Sequence, residues 1–284
     1  MPLSLGWLLL LNGVTAVVPA PDLIAVSYTG RLFHIDVANM TATPYAEVGA
    51  APNSLAWCRD GLVTVIKDAD GVTLVHIDPL TGAVRRSVPL VFADEGRVAG
   101  IDAATIATTQ PATQPAEPPA TQPAARFNHG VRALAFSEVH GLLAIVNVGS
   151  VHAEDEIHRI DPTTGVVRKL ATLPHAGLQS LDFSPDDTLF TYDIGPNAKG
   201  GGGIVRVDPA DLSTHPVEHP IHADIQSIAT ISKAQAIGIT QEGKLFEIDL
   251  RLGTLTPLGE VASEARMDFR GLVVADPSEK LVER

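Results

Sequence analysis

Five segments ending in an aliphatic residue and aspartate, a Ser-Leu strand that recurs ahead of them, and a helix-breaking composition predict an all-β fold. The architecture expected is a β-propeller of four-stranded blades, five rather than six, with the ring closed by the C-terminal strand. Gly and Pro number 24 and 21 in 284 residues, which argues against long helices. Hydrophobic residues make up 45% and mean hydropathy is +0.18, enough apolar material for a sizeable core.

In chain order the first element is apolar. Residues 3–18 read LSLGWLLLLNGVTAVV. The run is shorter than the roughly 20 residues of a membrane span. It fits a secretory signal peptide over residues 1–20, ending at Val18-Pro19-Ala20, although no Lys or Arg precedes it. Ser4-Leu5-Gly6-Trp7 also echoes Ser54-Leu55-Ala56-Trp57, so a strand of the fold stays open as a second reading. The expected location is secreted or periplasmic, with residues 21–284 as a single propeller domain and no stable membrane insertion once the signal is removed.

The five copies are Leu32–Asp36, Leu74–Asp78, Ile157–Asp161, Ile204–Asp208 and Leu245–Asp249. Each alternates apolar and polar residues, as a half-buried strand does. Two continue as Asp-Pro-x-Thr-Gly, at Asp78–Gly82 and Asp161–Gly165; Asp208-Pro209 and Gly253 belong to partial versions. There the Asp side chain accepts backbone N–H groups, Pro presets φ and Gly takes the left-handed position. These aspartates are therefore read as turn residues and not as catalysts. His34 and His76 share the repeat position of Arg159, Arg206 and Glu247, so both are expected on the surface.

The other recurring strand includes Ser54-Leu55-Ala56, Ala133-Leu134-Ala135, Ser180-Leu181-Asp182, Ser227-Ile228-Ala229 and Gly271-Leu272-Val273. After a turn, another strand follows at Leu62–Ile66, Leu142–Val146, Thr188–Tyr192 and Ala236–Ile239. The chain thus starts in mid-blade at Leu23–Tyr28 and finishes with a first-strand pattern at Arg270–Val274. Pairing the two leaves no open sheet edge.

The repeat aspartates are 42, 83, 47 and 41 residues apart. The long interval holds three Thr-Gln-Pro-Ala copies and too little apolar sequence for a blade. Residues 93–129 are therefore read as an insertion, a polyproline-type spacer without the basic residue of a Pro-rich ligand.

These residues resemble the YVTN-type repeat, related to the propellers of quinoprotein amine dehydrogenases. That repeat joins an apolar-Ala-Phe-Ser strand to an Ile-Asp-x-x-Thr-Gly hairpin. The resemblance implies the fold and not one activity. Related pyrroloquinoline-quinone enzymes carry Trp at the end of the fourth strand, and no copy here does, so that cofactor is not expected. The Ile-Asp-Pro-x-Thr-Gly turns are also similar to those of five-bladed glutaminyl cyclotransferases, whose other motifs are not evident.

The resemblance places ligands on the face that carries the loops from fourth to first and from second to third strands, around the tunnel. The ligand candidates there are His152, Asp155, His175, Asp193, His222, Asp224 and Arg266, beside Asn53, Asp68, Asp70, Asn197 and Glu264. Glu154, Asp155, Asp193 and Asp224 are the candidate metal ligands, for calcium or zinc. His215, Glu218, His219 and His222 offer a second cluster, which Pro216 and Pro220 keep from forming a helix.

A net charge of −13 with no basic run excludes a nucleic-acid binder. The single cysteine, Cys58, excludes intrachain disulfides. No Gly-x-Ser-x-Gly elbow or phosphate loop is present, and Gly200–Gly203 precedes a strand. The expected function is a monomeric, non-catalytic binding or scaffold module for a protein or small molecule. The alternative is a metal-dependent lactonase or hydrolase working at the tunnel mouth.

Overall fold

The computed structural model describes residues 21–49, 51–67, 71–93, 97–98, 101–102, 129–148, 154–175, 177–194, 202–217, 223–265 and 267–276. The proposed signal peptide, the Thr-Gln-Pro-Ala tract, the Gly200–Gly203 loop up to residue 201 and most of the His215–His222 cluster lie outside them.

Alternating side chains build five blades. Blade 1 contains β1 (Leu23–Ser27), β2 (Arg31–Asp36) and β3 (Thr41–Glu47). Blade 2 contains β4 (Ala56–Cys58), β5 (Gly61–Lys67), β6 (Val72–Ile77) and β7 (Val84–Pro89). Three two-residue strands follow: β8 (Val91–Phe92), β9 (Arg97–Val98) and β10 (Ile101–Asp102). Blade 3 contains β11 (His129–Ser137), β12 (Gly141–Val148), β13 (Asp155–Ile160) and β14 (Val166–Thr172). Blade 4 contains β15 (Leu178–Phe183), β16 (Leu189–Asp193), β17 (Gly203–Val207) and β18 (Thr214–Pro216). Blade 5 contains β19 (Ile225–Thr230), β20 (Gln235–Thr240), β21 (Lys244–Asp249) and β22 (Leu255–Glu260).

The last strand, β23 (Phe269–Val274), completes blade 1 by pairing antiparallel with β1, Leu23 opposite Val274. The C-terminal strand therefore closes the ring, as the sequence predicts. From blade 2, Trp57 Nε1 donates to the Val274 carbonyl of this closing strand at 2.7 Å. The first part of the long interval adds strands instead of a blade: β8 pairs parallel with β14, and β9 and β10 extend blade 3 outward.

Each blade buries both faces against its neighbours. In β1, Leu23 and Ala25 enter the core shared with blade 5, while Ile24 and Val26 enter the core shared with blade 2. This period of two on a doubly buried strand explains why β1 reads as a continuous apolar run. The innermost strands contact one another in the order β4, β11, β15, β19, β23 and back to β4.

Polar residues tie these strands together. Ser54 Oγ accepts the Leu134 N–H at 2.7 Å, and Ser180 Oγ accepts the Ile228 N–H at 2.8 Å. Thr64 and Thr191, on the second strands, donate to the carbonyls of the same two serines. The recurring serine is thus a bolt from one blade to the next.

All five hairpin turns share one geometry. Asp78 Oδ1 accepts from the N–H groups of Leu80 and Thr81 at 2.9 and 3.0 Å, and Asp161 Oδ1 from Thr163 and Thr164 at 2.8 and 3.1 Å. Four residues after each aspartate the backbone has positive φ: Met40 (51°), Gly82 (68°), Gly165 (74°), Leu212 (62°) and Gly253 (72°). Only three of the five are glycine, so tertiary packing holds Met40 and Leu212 in a conformation that glycine adopts freely.

One expectation is corrected. His34 is exposed, but His76 is only 7% exposed. Its Nε2 lies 3.0 Å from both the Pro162 carbonyl of blade 3 and a guanidinium nitrogen of Arg86, so contact with the next blade covers it.

Candidate functional site

Four of the five innermost strands carry a β-bulge at the same repeat position. Pairing skips Arg132 in β11, Gln179 in β15, Gln226 in β19 and Arg270 in β23. A bulge adds an unpaired residue and re-aims its side chain. The matching residue of blade 2 is Asn53, just before β4. Long polar side chains therefore ring the end of the tunnel where the first strands begin. The starts of the third strands and the ends of the second strands share that rim.

Asp155, at the start of β13, has a fully buried side chain. Its Oδ2 accepts the Leu178 N–H at 2.8 Å and its Oδ1 accepts from Asn147 Nδ2 at 3.2 Å. Arg132 Nη1 stands 4.0 Å from Oδ1. Burial pushes the Asp155 pKa up, and the charge of Asp193 acts in the same direction. The bonds from Leu178 and Asn147 and the Arg132 charge oppose that rise. The Asp155 backbone also holds the link between blades 3 and 4, through His175 O at 2.6 Å and Leu173 N at 2.8 Å.

Asp193 closes β16 and meets His175 from that link, with Oδ2 2.8 Å from Nδ1. His175 Nε2 is 3.2 Å from the Thr214 hydroxyl. With Nδ1–H donating to the carboxylate, Nε2 is left to accept from Thr214. Asp224 accepts from Gln226 Nε2 at 2.7 Å, and Gln226 Oε1 accepts from Arg270 Nη1 at 2.8 Å. Arg270 continues to Asp268 at 3.0 Å and lies over the Tyr28 ring, 5.5 Å from its centroid. Tyr192 donates to the Ala223 carbonyl at 2.7 Å and fastens the link into blade 5. Burial, with Asp224 and Asp193 nearby, raises its phenol pKa.

The structure joins His175 to Asp193, and gives Asp155 and Asp224 separate partners. Glu154 and Glu264 are exposed. His152, His222, Arg266, Asp68, Asp70 and Asn197 lie outside the described residues. Among the described residues, no three His, Cys, Asp or Glu side chains form a group that could hold a metal ion. Sequence reasoning did not single out Arg132, Gln179, Gln226, Arg270, Asn147, Asp268 or Tyr28. A signal existed for the bulges: the residue before each step from a small residue (Ser, Ala or Gly) to Leu or Ile is a long polar one in four copies and Asn53 in the fifth.

No family model matches the sequence, and no curated protein matches it. Solved structures do match in fold. The chain aligns with a chain from a nidogen/laminin complex at a TM-score of 0.52 and 9% identity, over 90% of this chain and 98% of that one. It also matches TolB from Acinetobacter baumannii at 0.47 and 14%, over 87% of this chain and 54% of TolB. A periplasmic gluconolactonase of Pseudomonas aeruginosa matches at 0.43 and 15%, over 87% and 70%. These neighbours are β-propellers, and at such identities the likeness is one of fold.

Proposed function

We propose that this protein is a non-catalytic, extracytoplasmic propeller of the YVTN-like kind that binds its ligand over the rim of the tunnel. The observation that carries the reading is how the rim's ionisable groups are paired. Asp155, Asp193, Asp224 and Asp268 each answer a donor of the protein itself, at Leu178, His175, Gln226 and Arg270. Each carboxylate is thereby oriented by the protein's own groups, which fixes the rim as a hydrogen-bonding surface. The amides and guanidiniums at the bulges supply fixed donors suited to a hydrogen-bonding ligand, either a polar small molecule or a loop of a protein partner.

A second reading, a lactonase-type hydrolase, draws on the Asp193–His175–Thr214 string, which orders carboxylate, imidazole and hydroxyl as a base-activated nucleophile requires.

The test is elemental mass spectrometry of the untagged protein together with a lactone and ester hydrolysis screen. The binding reading expects no stoichiometric calcium or zinc and no turnover. One equivalent of metal lost in Asp193→Ala, or hydrolysis abolished by His175→Gln, replaces it with the hydrolase.

A further inference from the structure

On the face opposite the rim, a cleft of about 840 Å³ opens between blades 2 and 3. Arg59, Arg86, Arg159 and Arg168 line it, together with His76. A second cleft of about 570 Å³, between blades 4 and 5, is lined by Arg206, His215, Lys233 and Arg251. Both arise from one pair of repeat positions. His76 lies directly opposite Arg86, Arg159 opposite Arg168, and Arg206 opposite His215. Blades 1 and 5 instead pair His34 with Thr43 and Glu247 with Thr256.

Like charges directly opposed across a sheet destabilise it. In a chain of net charge −13, acidic partners are plentiful. Yet among the described residues no carboxylate forms a salt bridge with Arg86, Arg159 or Arg168. Arg86 is aimed by the Pro162 carbonyl at 2.9 Å, and its neighbour His76 is drawn toward the neutral form by burial and by that guanidinium. Asp161 also lines the cleft, but its Oδ1 is held by the turn it caps. Arg59 is paired with Glu138 at 2.7 Å. Asp60 lines the cleft as well, and the Arg86 charge acts on Asp161, but among the described residues Arg86, Arg159 and Arg168 form no salt bridge, so cationic groups outnumber the acidic ones there.

We infer that the cleft between blades 2 and 3 is a second binding site, for a small multivalent oxyanion bearing phosphate or several carboxylates, held by Arg86, Arg159 and Arg168. Guanidinium forks match the oxygen pairs of both groups, and an anion there relieves the Arg159–Arg168 repulsion. The site is independent of the rim and of what binds there.

Isothermal titration of the purified protein at low ionic strength tests this, with inorganic pyrophosphate and citrate as the two probes. The expected result is saturable binding of at least one probe, and the stronger of the two separates phosphate from carboxylate ligands. Arg86→Gln with Arg168→Gln is expected to weaken it by about tenfold or more, while Arg31→Gln, an exposed arginine on blade 1, leaves it unchanged. Should the double variant unfold early, Arg168→Gln alone, on the outer strand, carries the comparison. Absence of saturable heat at roughly ten millimolar of either probe overturns the inference. So does equal binding by the cleft variants, or an equal loss in Arg31→Gln.

Discussion

Replacing Gly271 by serine makes blade 1 match three of the other four blades, which carry Ser54, Ser180 and Ser227 at that position, while blade 3 carries Ala133. On sequence logic the change stabilises. The geometry predicts the reverse. A Cβ on Gly271 would stand 2.5 Å from Leu55 N, 2.7 Å from Leu55 Cβ and 2.7 Å from the Ser54 carbonyl carbon. Two of these are backbone atoms, so no side-chain rotation relieves the contact. At the other joints the neighbouring N–H is one Cβ–Oγ reach away, as in Ser180 to Ile228 at 2.8 Å. At this joint the backbone of the next blade fills that space. Overpacking of this kind costs about 1–3 kcal/mol. At roughly 2–4 °C per kcal/mol for a domain of this size, the thermal midpoint falls by roughly 2–12 °C. Thermal and urea unfolding of Gly271→Ser and Gly271→Ala read the effect. Both are expected to lose similar stability, because the clash is with Cβ. A serine variant as stable as the parent refutes the close approach of β23 to the Ser54-Leu55 segment.

Ser180→Ala leaves the buried Ile228 N–H without its acceptor, and urea unfolding is expected to show a loss of about 1–3 kcal/mol. The Arg85 guanidinium and the Thr81 and Leu80 N–H groups hold the Asp78 carboxyl down to about 2. A depressed folded pKa contributes stability above the ordinary value near 3.8, and that contribution is lost as pH falls toward about 2. Thermal midpoints across this range are expected to fall more steeply for the parent than for Asp78→Asn, and parallel slopes would contradict the turn's role. Burial and Asp78 push the Tyr45 phenol up to about 12. Absorbance titration is expected to contain a late tyrosinate step that Tyr45→Phe removes, with stability lost as pH rises from about 10 toward 12.

The blades were legible because their signals are local. Alternation along Leu32–Asp36 or Leu245–Asp249 states a half-buried strand, and Asp-Pro-x-Thr-Gly states its turn. Ring closure was legible because Leu23–Ser27 lacks a first strand and Phe269–Val274 supplies one. The rim was not, because a bulge is a property of pairing: Arg132 and Gln179 look like ordinary strand residues until their partners are known. His76 misled for a related reason. Its alternation assigns it to the polar side of β6, but Pro162 of the next blade covers that side. Asp155 and Asp193 were candidates from the sequence, but the donors that engage them come from residues 8 to 23 positions away and could not be read from it.

The seam between β1 and β23 has a kinetic consequence. In every other blade the four main strands are adjacent in sequence and can form as a set of local hairpins. Blade 1 has to wait for a strand from the far end of the chain, and the loop it closes spans the whole ring. The entropy of that closure is recovered only when blades 2 to 5 are already stacked. The Trp57–Val274 bond is then expected to form as a late step, and Trp57 fluorescence during refolding of a Trp7→Phe variant is expected to follow the latching of the ring.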